Sequence, residues 1–176
     1  MNKEELSKTR EALLEKILDG LLEELYAAQI KEVGDENRLR VLSVVFEDLG
    51  FDSESAIGDF YFRPMISDDD KVQHFCALIT IADELNEDNL PSVYEAMSYI
   101  NAKAVCGSFC IDKDKNFMAY RLCVPLSTSM TEDQLFEAMN VVMGNAVTAC
   151  DMYMDILVRV MDGEATVQDV IDSLGD

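Results

Sequence analysis

Residues 105 to 126, VCGSFCIDKDKNFMAYRLCVPL, form two alternating runs on either side of an Asp/Lys/Asn turn. Two such runs can bury one face in one register only, because a slip of a single residue turns every side chain over. Val105, Gly107, Phe109 and Ile111 share one face of the first run; Met118, Tyr120, Leu122 and Val124 share one face of the second. Bringing both sets to the core side predicts a β-hairpin in which residue 112 faces 117, 110 faces 119 and 106 faces 123. Cys106, Cys110 and Cys123 then lie on the other face, beside Ser108, Ala119 and Arg121.

This register limits the chemistry of the segment. Cys106 and Cys110 are four residues apart on one strand, so their Cα atoms are roughly 13 Å apart. A zinc–sulfur bond is about 2.3 Å long, and one ion cannot collect all three thiols. Cys106 and Cys123 do face each other, which leaves a cross-strand disulfide or a two-thiol redox pair open beside the simpler reading of two small packed thiols. Asp112, Asp114 and Asn116 also have the spacing of the first calcium-loop ligands. The loop then needs Gly at Phe117 and a bidentate Glu at Cys123, so the pattern reads as a turn.

Elsewhere the periodicity changes several times. From residue 4 to 33 the spacing is helical, with Leu6, Leu13, Leu14, Ile17, Leu18, Leu21, Leu25 and Ala28 on one stripe, and GDEN (34–37) breaks it. RLRVLSVVFEDLG carries Leu39, Leu42, Phe46 and Leu49 at helical spacing, but Val41, Val44, Val45 and Phe46 suit a strand better, and IGDFYFRPMI (57–66) reads as a second strand closed by Pro64. SDDDK (67–71) is turn chemistry, and VQHFCALITIADEL (72–85) is a third strand, almost wholly apolar at its middle.

A helix is predicted over 87–103, with Asn89 as N-cap, Pro91 in the first turn, and Leu90, Val93, Met97, Ile100 and Ala104 buried. After the hairpin, Thr131 and Gln134 have capping-box spacing and open a long helix reaching about Met161. Gly163 stops it, and a short helix follows with Thr166 as its cap. The expected fold class is α+β: helix, three antiparallel strands, helix, β-hairpin, long C-terminal helix, as one domain over residues 1–176.

The 14 basic and 35 acidic residues give a net charge of −21. Such a surface repels phosphate backbones and anionic lipid heads, so neither nucleic acid nor membrane is an expected partner. Charges at the start of the chain stand where a signal peptide would need an apolar stretch, and no run reaches the roughly 18 apolar residues of a membrane span. With five cysteines and no paired framework, a reducing cytoplasm is the expected compartment. His74 and Cys76 share a strand face two residues apart, but a Cys–His nucleophile also needs an orienting group and an oxyanion site. No phosphate loop, nucleophile elbow or metalloprotease motif occurs. The sequence therefore predicts no catalytic residues, metal or cofactor.

The stretch GSFCIDKDKNFMAYRLCVPLSTSMTEDQLFEAM combines an apolar strand, an acidic turn, a strand ending in Pro-Leu and a Thr-capped helix. With HFCALITIADEL and NLPSVYEAMSYIN before it, this pattern resembles the YbjN-domain family over roughly residues 70 to 160. Asn116 stands where Gly is common in that pattern, and Asn also accepts a left-handed turn. The resemblance implies a fold similar to type III secretion chaperones, which are small, acidic, dimeric proteins that bind other polypeptides. It also implies a link to regulation in bacteria, with no agreed enzymatic activity. The expectation is a non-enzymatic protein-binding module, chaperone-like or regulatory, holding a protein or peptide segment and forming a homodimer. The alternative is a thiol-based redox sensor or an enzyme using the Cys and His residues of the sheet.

The long helix bears on assembly. Leu135, Met139, Val142, Ala146, Tyr153, Leu157 and Val160 form one apolar line able to cover a sheet. Phe136, Met143, Val147, Met154, Val158 and Met161 form a second line beside it. That second line is either covered by the N-terminal helix of the same chain or is a partner surface, and the dimeric habit of the resembling fold favours the partner surface.

Overall fold

The computed structural model describes residues 3–34, 39–50, 54–64 and 71–175. The elements in chain order are α1 (Lys3–Glu23), β1 (Ala27–Val33), β2 (Leu39–Leu49), β3 (Glu54–Phe62), β4 (Val72–Ala82), α2 (Leu90–Lys103), β5 (Ser108–Asp112), β6 (Phe117–Ser127), α3 (Glu132–Asp162) and α4 (Val167–Ser173). The strands form one six-stranded antiparallel sheet in the order β1-β2-β3-β4-β6-β5. The α+β class stands, with one strand more than expected ahead of α2. The end of the second predicted strand (65–66), most of the predicted turn (67–70) and residues 35–37 of the predicted helix break lie outside the described residues.

The additional strand comes from the end of the predicted first helix. The helix stops at Glu23, where Leu25 adopts φ +67°. Tyr26 N–H donates to Leu21 O at 2.9 Å and Leu25 N–H to Leu22 O at 3.1 Å, the paired bonds of a Schellman cap. Such a cap is read from a Gly; here Leu holds the position and is 92% exposed, so no residue type announced the stop. Residues 27–33 then pair with β2, Ala27 opposite Val45 and Val33 opposite Leu39.

The chain divides into two compact units. The first comprises residues 1–46, 57–77 and 123–144. Leu6, Leu13, Leu14 and Ile17 of α1 are buried in it, as are Leu42, Val44, Phe46, Phe60, Phe62, Phe75, Leu135 and Met139. Phe46 meets Phe60 edge-on at 6.2 Å, and Phe62 meets Phe75 at 5.0 Å. Arg10 lies over the Phe62 ring, 5.0 Å from its centroid, and donates from Nε to Gln73 Oε1 at 2.8 Å.

The second unit comprises residues 47–56, 78–122 and 145–176. Its core includes Ile79, Val93, Ile100, Phe109, Met118, Tyr120, Leu157 and Val170. Asn89 is the residue before α2, yet its side chain makes no cap bond; Nδ2 donates instead to Met161 O at 2.8 Å. Asn101 clamps the backbone of β5. Its Oδ1 accepts from Phe109 N–H at 2.8 Å, and its Nδ2 donates to Phe109 O at 3.1 Å. β5 is an edge strand, and this clamp occupies groups that would otherwise face another strand.

From Ser108 to Asp112 the hairpin register is the expected one, whereas Val105, expected on the core face, lies ahead of β5 and is fully exposed. Asp112 faces Phe117, Cys110 faces Ala119 and Ser108 faces Arg121. Asn116 holds φ +58° in the turn, and Asp112 Oδ1 accepts from Lys115 N–H at 3.1 Å. Replacing Asn116 by Val is expected to cost about 1–2 kcal/mol, the penalty of a left-handed residue with a bulky side chain, whereas Asn116→Gly should be close to neutral. Urea denaturation of both variants measures this, and equal losses would contradict the turn conformation.

Two caps were legible in advance. Thr131 and Gln134 bond reciprocally, Thr131 N–H to Gln134 Oε1 at 2.9 Å and Gln134 N–H to Thr131 Oγ1 at 3.3 Å. Thr166 and Asp169 do the same for α4. Bonds from the Thr166 side chain, then from its backbone N–H, hold the Asp169 carboxyl below the ordinary carboxylate range. A depressed folded-state pKa means that the cap contributes above the unfolded value of about 3.9 and is lost as pH falls through the folded value. A carboxyl-carbon NMR titration should therefore give Asp169 an apparent pKa below about 3.9; a value at or above it would contradict the cap.

α3, at 31 residues, is also long and apolar enough by length and composition to cross a bilayer. Leu135, Met139, Val142, Ala146, Met154, Leu157 and Val160 along it are buried, and about 33% of its most apolar stretch is buried in all.

Candidate functional site

Strand alternation separates the side chains of β3, β4 and β6 into two faces. In the first unit, Phe60, Phe62, Phe75 and Leu126 point into the core. Residues 57, 59 and 61 of β3, 72, 74 and 76 of β4, and 123, 125 and 127 of β6 point the other way. Cys76 and Cys123 belong to this second set, and the structure joins them as a disulfide across β4 and β6, with Cα atoms 4.1 Å apart. Cys76 is 0% exposed, whereas Cys123 is half-buried.

The pairing expected for Cys123 is therefore corrected. Its partner is Cys76, not Cys106. β5 begins only at Ser108, and Gly107 at φ +67° turns the chain out of the ladder before Cys106 can face β6. A Cβ at residue 107 would collide with the Tyr120 hydroxyl and the Arg121 carbonyl, so the turn needs glycine. Cys106 lies instead beside Tyr120, whose hydroxyl donates to the Cys106 carbonyl, with Sγ 3.9 Å from that hydroxyl. Burial first, and then the neighbouring Cys106 and Cys150 thiols, push the Tyr120 hydroxyl pKa up. Tyr120 is fully buried and meets Phe109 edge-on at 5.1 Å, anchoring this end of the hairpin in the core.

Burial raises the pKa of the Cys150 and Cys110 thiols. Cys150 is fully buried, and burial, with a smaller effect from Asp151, raises its pKa. Cys110 is raised by burial, with Arg121 acting against this and Asp112 with it. His74 is exposed two residues from Cys76 on the same strand face, but the Cys76 sulfur is bonded to Cys123 and is not a nucleophile in that state. Among the described residues no three His, Cys, Asp or Glu side chains converge in a group that could hold a metal.

Part of the α3 flank expected at a partner is covered within the single chain. Met143, Met154 and Met161 are 8, 0 and 3% exposed within the single chain, and Phe136, Val147 and Val158 are half-buried. Lys16 of α1 extends over the Phe136 ring, Nζ 4.1 Å from its centroid, so the N-terminal helix lies beside this part of the flank.

Charge is nearly absent from the outward sheet face of the first unit. The face comprises the odd-numbered residues of 27–33, 39–45, 57–61 and 123–127 and the even-numbered residues of 72–76. Among them Lys31 and Asp59 carry a charge and pair at 2.9 Å, and exposed Arg63, whose N–H donates to His74 O at 2.9 Å just past the end of β3, adds one more charge at the edge of this face. The whole chain is 28% charged, so this face stands apart from it. Val33, Ile57 and Val72 on it are 47, 50 and 44% exposed. A separate cleft of about 380 Å³ lies in the second unit between the start of α2 and the hairpin turn, lined by Leu85, Leu90, Pro91, Tyr94, Lys113 and Asn116 among others. Lys113 Nζ lies 5.4 Å from the Tyr94 ring centroid there.

No family model matches the chain, and no curated protein sequence matches it. Among solved structures it is similar to YbjN from E. coli, a proposed transcription regulator, with a TM-score of 0.41 and 18% identity over 76% of this chain and 86% of that one. It is also similar to an uncharacterized protein from Methanothermobacter thermautotrophicus, with a TM-score of 0.38 and 14% identity over 85% of this chain and 99% of that one. The first carries the family name that the hairpin and helix pattern resembled. Neither likeness bears on activity or partner.

Proposed function

We propose that the chain is a non-enzymatic protein-binding module, regulatory or chaperone-like, which docks through the low-charge sheet face of its first unit. The observation that carries this reading is the contrast between that face and a chain of net charge −21. Depletion of charge around exposed apolar side chains is the surface pattern of protein contacts. The occupant is a second copy. A two-fold dimer sets the same patch against itself, and the Lys31 and Asp59 charges within this patch are already paired with each other.

Light scattering at high micromolar concentration tests it. Wild type is expected to dimerise, and Ile57→Glu and Val33→Glu to remain folded by circular dichroism but become monomeric, because each sets a carboxylate into the contact at a position that is solvent-exposed in the single chain. A monomeric wild type, or glutamate variants that still dimerise, would refute the docking surface.

A further inference from the structure

We propose that Cys76 and Cys123 form a reversible thiol–disulfide exchange site for low-molecular-weight disulfides of the glutathione type, with Cys123 as the attacking sulfur and Cys76 as the resolving sulfur. The assignment rests on position. The two residues face each other on neighbouring strands, β4 and β6, close enough to bond. They differ in access, Cys76 being sealed and Cys123 half-buried. An external disulfide can therefore reach one sulfur of the pair and not the other. The other three cysteines have no sulfur partner.

The chemistry balances in two steps. Cys123 gives up its proton, and its thiolate attacks one sulfur of glutathione disulfide; the S–S bond breaks and one glutathione leaves as thiolate, taking up that proton. Cys76 then loses its proton and attacks Cys123 Sγ, releasing the second glutathione as a thiol and closing the protein disulfide. Two protein thiols are oxidised and one glutathione disulfide is reduced to two thiols. Excess glutathione runs both steps backwards, entering again at Cys123. The bond joins positions 47 residues apart, so its redox state decides whether the segment between them, which holds α2 and β5, is a closed loop. Exchange uses the uncovered chain and is measured at low protein concentration, so it stands whether or not the docking surface does.

The reduced full-length protein is equilibrated in glutathione buffers of graded ratio, quenched with N-ethylmaleimide and mapped by peptide mass. Cys76 and Cys123 should lose alkylation together as the oxidised fraction rises and regain it in excess glutathione, while Cys150, alkylated after unfolding, reads as thiol throughout. Cys76→Ala should accumulate glutathione on Cys123, and Cys123→Ala should leave Cys76 unmodified. Should a variant fail to fold, wild type quenched in acid at early times answers the same question: the mixed disulfide should map to Cys123. The proposal is overturned if the pair never bonds, if glutathione cannot reopen it without denaturant, or if the mixed disulfide maps to Cys76.

Discussion

Met154→Glu is expected to abolish cooperative folding. Met154 is 0% exposed on α3, so the introduced carboxyl has no water and no built partner. Burying an unpaired charge costs several kcal/mol even after relaxation, and a carboxyl that takes up a proton instead still loses its hydrogen bonds to water. A domain holds only about 5–15 kcal/mol in total. Circular dichroism and urea denaturation measure the outcome. A folded variant of unchanged stability would place this flank on the surface, as the helical pattern alone allowed. Met143→Glu, at 8% exposure, should also destabilise, but less, because its side chain lies nearer solvent.

Phe109→Ala should lower stability by about 3–5 kcal/mol, the usual range for a buried phenylalanine. Phe109 is 2% exposed, packs edge-on against Tyr120 at 5.1 Å and Tyr153 at 6.3 Å, and has its backbone clamped by Asn101. Its neighbour Cys110 points to the other sheet face, opposite Ala119, and is half-buried. Cys110→Ser should therefore cost much less. Equal losses in denaturant titrations would show that the two faces of the hairpin had been interchanged.

The hairpin register and the α3 cap were legible because their determinants lie a few residues apart. Asp112 can face only Phe117 across a four-residue turn once the apolar alternation of both strands must point one way. Thr131 and Gln134 meet because three residues of helix bring them together. The buried stripe of α2, with Leu90, Val93, Met97 and Ile100, follows from helical spacing alone.

Other features had no local signal. Residues 27–33 continue an acceptable helical pattern, and only pairing with β2 makes them a strand; the helix stop depends on Leu25 in a conformation usually given to Gly. The six residues of the second α3 line have the same apolar character whether a partner or the chain itself covers them, and burial of Met154 and Met161 is a matter of packing. Cys123 could be matched with Cys106 from the hairpin by itself.

Cys76 enters only because β6, not β5, lies beside β4 in the sheet. Strand order depends on how α2 carries the chain back across the sheet, a long-range choice that no spacing of side chains within one strand encodes. The sequence by itself thus determined the local geometry of the hairpin, the caps and the apolar faces. The tertiary structure alone decided which thiols meet and which apolar surface remains uncovered, because both depend on contacts between segments distant in the chain.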